Sequence, residues 1–281
     1  MSEESRVEPA VLTDPAKIRV TTTYNATADH FDDAPLAFWD RAGRGTVARL
    51  DLPEGATVLD VACGSGASAL HAAERVGPTG RVVGVDLAER LLELARAKAN
   101  ALGHTHVEFR TADMQHLDDP DGSFDAVVCV FGVFFVEDMS RLVAGLWRLV
   151  RPGGQLAITT WGPRVFEPAN TLFWEAVQRE RPDLYRGFNP WDRINDPEAV
   201  REMLRAGGVE EPRVTLEMGT QPLRSPDDFW TIVLGTGYRG TVEQLDPVAQ
   251  ERVRQATLDA VMAHNIQAVE TNFIYAIATR Q

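Results

Sequence analysis

The sequence predicts an α/β fold, a mostly parallel sheet with helices packed on both of its faces. Three observations carry that expectation. Short apolar runs alternate with helix-forming stretches through the centre of the chain, glycine turns and acids stand where those runs end, and Phe124–Val130 is continuously apolar enough for a strand buried on both faces. Thr57–Ala62 reads as the first strand, ending in Cys-Gly-Ser-Gly, and Ala67–Arg75 as a helix broken by Gly77-Pro-Thr-Gly80. Arg81–Asp86 is the second strand, and Ala88–Leu102 a helix with Leu91, Leu92, Ala95 and Ala99 on one side. Val107–Arg110 and Phe124–Val130 are strands three and four. Ser140–Val150 is an amphipathic helix, Arg151-Pro-Gly-Gly154 stops it, and Gln155–Thr160 is strand five.

The flanks are less regular. Residues 1–20 are acidic and interrupted by proline, and Tyr24–Leu50 reads as one or two helices. After Trp161, Pro168–Arg179, Pro197–Ala206, Asp227–Gly240 and Asp246–His264 suggest helices, and Arg213–Met218 and Asn272–Thr279 suggest strands. Residues 1–54 are therefore expected to form a tail and capping helices, 55–161 a ligand-binding core, and 162–281 the rest of the sheet with helices inserted as a lid.

Composition narrows the functions open to such a fold. In 281 residues, 41 acidic side chains against 28 basic ones give a net charge of −13, a poor surface for a phosphate backbone, so nucleic acid is not expected as a partner. Two cysteines, Cys63 and Cys129, are too few for an extracellular disulfide framework, and the first residues lack a signal-peptide pattern, so a reducing cytoplasm is expected. The longest apolar run, Ala126–Val136, falls well short of the roughly 20 residues a bilayer requires, so no membrane segment or membrane partner is expected. Only Lys17 and Lys98 are lysines among the 28 basic residues, a bias associated with GC-rich bacterial genomes. The scattered histidines give no metal-ligand spacing.

The glycine turn admits two ligands. Gly64-x-Gly66-x-x-Ala69, with Asp86 at the end of the next strand, fits a dinucleotide site and hence a nicotinamide-dependent oxidoreductase. Asp60 argues for a different ligand, because it sits four residues before Gly64 and would repel a pyrophosphate. It would attract a ligand that carries an ammonium and a sulfonium, as S-adenosylmethionine does. Asp86 can then accept from both ribose hydroxyls, and Asp113, in Ala112-Asp-Met114, from the adenine amino group with Met114 against the ring.

Val58-Leu-Asp-Val-Ala-Cys-Gly-Ser-Gly66, Val85-Asp86, Ala112-Asp113, Ser123–Val128 and Arg148–Gly154 together resemble the ordered motifs of the class I S-adenosylmethionine-dependent methyltransferases, in the small-molecule branch that includes the ubiquinone and menaquinone C-methyltransferases. The resemblance covers Gly55–Trp161. It implies a Rossmann-like seven-stranded sheet of order 3-2-1-4-5-7-6, with strand 7 antiparallel and the cofactor at the C-terminal ends of strands 1 to 4. It also implies backbone contacts from Ala62, Cys63 and the Val130-Phe131 corner, so that Tyr24, Asp60, Ala62, Cys63, Gly64, Gly66, Asp86, Leu87, Ala112, Asp113, Met114, Val130 and Phe131 make up the expected cofactor set. The product would be S-adenosylhomocysteine. Ala62 departs from the glycine common at that place, and Phe131-Gly-Val-Phe-Phe135 replaces the quinone enzymes' usual sequence.

A small, largely apolar or aromatic acceptor is expected among the aromatic residues of the flanks, with Phe135, Trp161, Trp39, Trp191 and Tyr238 as the candidate walls. Phe135 and Trp161 are expected to face the methyl group. His30, Asp32, His116, Tyr238 and His264 are conceivable proton acceptors that the sequence does not rank. A non-catalytic S-adenosylmethionine-binding module is the further alternative, and the sequence does not set the oligomeric state.

Overall fold

The computed structural model describes residues 14–281, so the first part of the acidic tail lies outside the described residues. The strands are β1 (Thr57–Val61), β2 (Arg81–Asp86), β3 (Val107–Thr111), β4 (Phe124–Val130), β5 (Val150–Trp161), β6 (Arg213–Glu217), β7 (Thr220–Pro222), β8 (Ala268–Glu270) and β9 (Phe273–Thr279). Seven of them form one sheet of order β3-β2-β1-β4-β5-β9-β6, and β7 and β8 form a separate two-stranded antiparallel sheet. Setting that small sheet aside, the order is the expected 3-2-1-4-5-7-6. β9 runs antiparallel to both β5 and β6, and the other pairs are parallel.

The helices are α1 (Pro15–Thr27), α2 (Phe38–Val47), α3 (Ala67–Val76), α4 (Glu89–Ala101), α5 (Met139–Leu149), α6 (Ala169–Glu180), α7 (Pro197–Ala206), α8 (Pro226–Leu234), α9 (Arg239–Val242) and α10 (Pro247–Ala263). Alternate strand residues serve opposite faces, as the two-residue period of a strand requires. Val58, Val82, Ala126 and Val128 pack with Ala69, Leu92 and Ala95 of α3 and α4, whereas Leu59, Val61, Val83 and Val127 join the larger core that holds Leu142, Leu146, Val200 and Phe173.

Several boundaries differ from the sequence reading. α1 starts inside the stretch read as tail, because Asp14 caps it by accepting from Ala16 N at 2.8 Å and Pro15 occupies its first turn. The Arg151–Gly154 segment does not end in a free turn. It continues β5, with a register irregularity opposite Phe124–Ala126. The 227–240 helix splits at Gly235 into α8 and α9. None of the helices among the described residues is long and apolar enough to cross a membrane.

Candidate functional site

The crossover from β1 to α3 turns through three residues in left-handed or near left-handed backbone, Ala62 (φ +55°), Gly64 (φ +53°) and Gly66 (φ +87°). β4 ends in a fourth, Phe131 (φ +56°), whose N–H donates to Thr159 O at 2.8 Å. For Ala62 and Phe131 this conformation is sterically costly, the sort of strain that persists where the surrounding fold holds a functional turn in place. Asp86 pins the turn: Oδ2 accepts from Gly64 N at 2.9 Å and Oδ1 from Ala88 N at 2.8 Å. Burial nevertheless raises the Asp86 pKa above its ordinary range, against the bonds from Ala88, Gly64 and Leu87.

A cavity of about 130 Å³ opens over these strand ends and under α1. Ala62, Cys63, Gly64, Asp86, Leu87, Ala112, Asp113, Met114, Val130, Phe131 and Tyr24 all line it. The two remaining members of the expected cofactor set stand behind the surface. Gly66 faces away from the cavity, where an added Cβ would lie 3.2 Å from Ala95 Cβ and 3.3 Å from Phe109, so its left-handed backbone and this close packing together require glycine there. Asp60 is 1% exposed and reaches the cavity wall through Ser68, whose Oγ donates to Oδ2 at 2.7 Å. Its Oδ1 is buried with no hydrogen-bond partner, and burial pushes its pKa up to about 7.

Asp113 is engaged by α1. Lys17 Nζ donates to its Oδ2, as does the His116 ring at 2.9 Å, and Oδ1 accepts from Gln115 N. Burial opposes ionisation, but the bonds from Lys17, Gln115 and His116 outweigh it and hold the carboxyl below the usual range. Lys17 was not foreseen from the sequence, because its partner is 96 residues away. Two further buried polar atoms without partners belong to residues of the cavity wall, Thr21 Oγ1 on α1 and Trp39 Nε1 on α2. Buried polar groups are nearly always paired, so these atoms are open to a partner from outside the chain, water or ligand.

The expected acceptor residues divide. Phe135 and Trp39 line this cavity with Tyr24 and Phe31. Trp161, 3% exposed, does not line it. Trp161 lies behind Phe131, stacked at 4.2 Å, because the left-handed turn at Phe131 brings that ring across the end of β5. Trp191 and Tyr238 belong to a second, more polar cavity of about 440 Å³ bordered by Glu167, Asn170 and Trp174, with Tyr238 donating to Asn170 Oδ1 at 2.7 Å. None of the five conceivable proton acceptors lines the first cavity. His30 bonds Asp33, Asp32 accepts from Ser65 and Lys98, His116 meets Asp113, Tyr238 meets Asn170, and His264 bonds Ala260 O. The buried thiols stay protonated, Cys129 pushed up to about 12 by desolvation and Cys63 raised well above its ordinary value, which suits packing residues. No group of metal-ligating side chains is present among the described residues.

A doubly wound sheet in this order, with three acids at or beside successive strand ends and a cavity between them, defines a nucleoside-binding α/β enzyme of the methyltransferase type. The sequence profile of the family described as "Methyltransferase domain" matches residues 58–154. A nocamycin O-methyltransferase from Saccharothrix syringae is 32% identical over 260 residues, covering 84% of this chain and 90% of that protein. The chain belongs to the class I S-adenosylmethionine-dependent methyltransferases, and S-adenosylmethionine is its cofactor. A demethylmenaquinone methyltransferase from Deinococcus radiodurans is 40% identical over 116 residues, 41% of this chain, and the match spans about half of that relative (46%). Among solved structures, the YcgJ protein of Bacillus subtilis superposes with a TM-score of 0.56 at 16% identity over 86% of this chain and 99% of its own. The [4+2]-cyclase SpnF superposes with a TM-score of 0.55 at 19% identity over 93% of both. These last two show the fold alone.

Proposed function

We propose that this methyltransferase acts on an oxygen of a small, largely apolar or aromatic acceptor. The observation that carries the reading is the aromatic wall of Tyr24, Trp39, Phe131 and Phe135 in the same cavity as the nucleoside-side acids. In this reading Asp86 accepts from the ribose hydroxyls, and Asp113 and Met114 flank the adenine. The Asp60 Oδ1 left without a partner fits an ammonium, and Ala62, Cys63 and the Val130-Phe131 corner offer backbone to the methionine half. When bound, S-adenosylmethionine supplies an electrophilic methyl on a sulfonium. The chain's own task is to orient the acceptor and exclude water, which raises the effective concentration of the nucleophile.

The choice of oxygen rests on two supports. The relative that aligns with most of this chain is named an O-methyltransferase, whereas the menaquinone relatives align with the central part only. The cavity also offers no base: burial raises the Tyr24 pKa, so its hydroxyl keeps its proton, and Asp86 and Asp113 are taken up by the nucleoside. An acceptor that loses its own proton easily, such as an enol, a phenol or a carboxylic acid, suits such a site. Residues 14–54 roof the cavity in this reading, 55–161 hold the cofactor, and 162–281 complete the sheet and shape the acceptor side. A bacterial, cytoplasmic setting accords with the scarcity of lysine and the two unpaired thiols.

The test is transfer of labelled methyl from S-adenosylmethionine to matched apolar acceptors that differ only in carrying a phenol or enol, a carboxyl, an amine or no heteroatom nucleophile. Label on the oxygen acceptors alone is expected. Label confined to amine or carbon acceptors would overturn the reading.

A further inference from the structure

We infer that Trp39 recognises the amino-acid head of the cofactor, its indole Nε1–H donating to the carboxylate while Asp60 Oδ1 accepts from the ammonium. This rests on the cofactor placement proposed above and adds a residue outside the sheet motifs. Trp39 Nε1 and Asp60 Oδ1 are both buried and both lack a partner, and they are of opposite kind: an indole nitrogen can only donate and a carboxylate only accept. An α-amino acid is a ligand that completes both.

The two atoms flank one turn. Gly43, one helical turn after Trp39, lies directly against the start of α3, where an added Cβ would stand 2.7 Å from Ser68 N. Ser68 is the residue that bonds Asp60. α2, packed on the start of α3, brings Trp39 to the cavity that the β1–α3 turn also lines, while Asp60 stands behind that turn on β1. Three of the turn's donors are occupied: Cys63 N–H goes to Val85 O at 3.1 Å, Gly64 N–H to Asp86 and Gly66 N–H to Cys63 O at 2.8 Å. Both lysines are engaged elsewhere, Lys17 with Asp113 and Lys98 with Asp32 and Ser65. Trp39 offers a carboxylate arriving here a donor that has no partner within the chain. Its ring is held for the purpose, stacked on Phe31 at 5.2 Å and met edgewise by Phe38 at 4.7 Å and Phe131 at 5.2 Å, so the N–H cannot swing out to water.

The experiment is calorimetric titration of the full chain and of Trp39→Phe with two probes, S-adenosylhomocysteine and 5′-methylthioadenosine, which shares the nucleoside thioether but lacks the amino-acid head. Trp39→Phe keeps an aromatic ring in the cluster, and binding of methylthioadenosine reports whether the cavity is intact. The expected result is about a tenfold or greater loss for S-adenosylhomocysteine with methylthioadenosine unchanged within about twofold, since hydrogen bonds to charged groups are the stronger class. Undiminished S-adenosylhomocysteine affinity would overturn the inference and leave the indole facing the acceptor. An equal loss for both probes would also overturn it, reducing Trp39 to a wall of the cavity. Failure of the unaltered chain to bind either probe would instead defeat the cofactor placement itself.

Discussion

Asp60 is the last residue but one of β1, set between the buried, apolar Leu59 and Val61, a local conflict that folded proteins keep chiefly at functional sites. Burial raises its pKa from 3.8 to about 7, with only Ser68 and Ala69 acting the other way. The sign follows directly. Between pH 4 and 7 the folded chain holds a proton that the unfolded chain has released, so this group costs stability as pH rises through that window and adds no further change above it. A ligand ammonium favours the ionised carboxyl, so S-adenosylhomocysteine affinity should climb as pH rises from 5 to 7 and level off above. The slope cannot exceed about tenfold per pH unit for a single group. Calorimetry across that range checks this, and Asp60→Asn should flatten the curve. A wild-type curve that is already flat would mean that Asp60 does not meet the charged head. Ala62 is the companion oddity: it accepts left-handed backbone without being glycine, and the fold holds it there with Gly132, whose own Cβ would come within 2.6 Å of Ala62 Cβ.

At the scale of elements, α1 is held over the cavity more by charge than by packing. Among its residues Thr27 alone is fully buried. Lys17 ties its first turn to Asp113. Arg90 reaches its C-terminal end through Asn25 O and Asp29, the latter at 2.7 Å, and Lys98 fastens the following loop at Asp32, at 2.8 Å. Exposed pairs of this sort are weak and screened by salt, but Lys17 and Asp113 are each about four-fifths buried. Lys17→Met should therefore speed dissociation of S-adenosylhomocysteine several-fold, measured by stopped-flow, while changing global stability by no more than about 1 kcal/mol. Dissociation at the wild-type rate would show that α1 is no lid. This element was poorly legible in the sequence because its partners Arg90 and Asp113 are 65 and 96 residues away and it has little apolar periodicity to signal a buried face. The β7–β8 pair escaped for a related reason, two strands of three residues joined across the whole α8–α10 insert.

Over the whole molecule, the central strands were legible from their apolar runs and their order from the resemblance of the motifs, and most residues of the expected cofactor set line one cavity because they stand at or just after strand ends. What the sequence could not tell was which aromatic residue faces which cavity. Phe131 and Trp161 are both large aromatic residues at the end of a buried strand, yet the positive φ at Phe131 puts its ring on the cavity and Trp161 behind it. Trp191 and Tyr238 gather around the second cavity because the inserted segments fold against α6, through the stack of Phe173 on Tyr238 at 5.4 Å, which is long-range packing that no local pattern encodes.

The central claim is that the acid at the end of β2 both pins the glycine turn and receives the ribose, so one side chain couples the fold of the site to recognition of the cofactor. Calorimetric titration of S-adenosylhomocysteine into the wild-type chain and Asp86→Ala tests it most directly. Losing hydrogen bonds to a charged group should lower affinity by about 1.5 to 3 kcal/mol, roughly ten- to a hundredfold. An Asp86→Ala chain that remains folded and binds S-adenosylhomocysteine as tightly as the wild type would contradict the account.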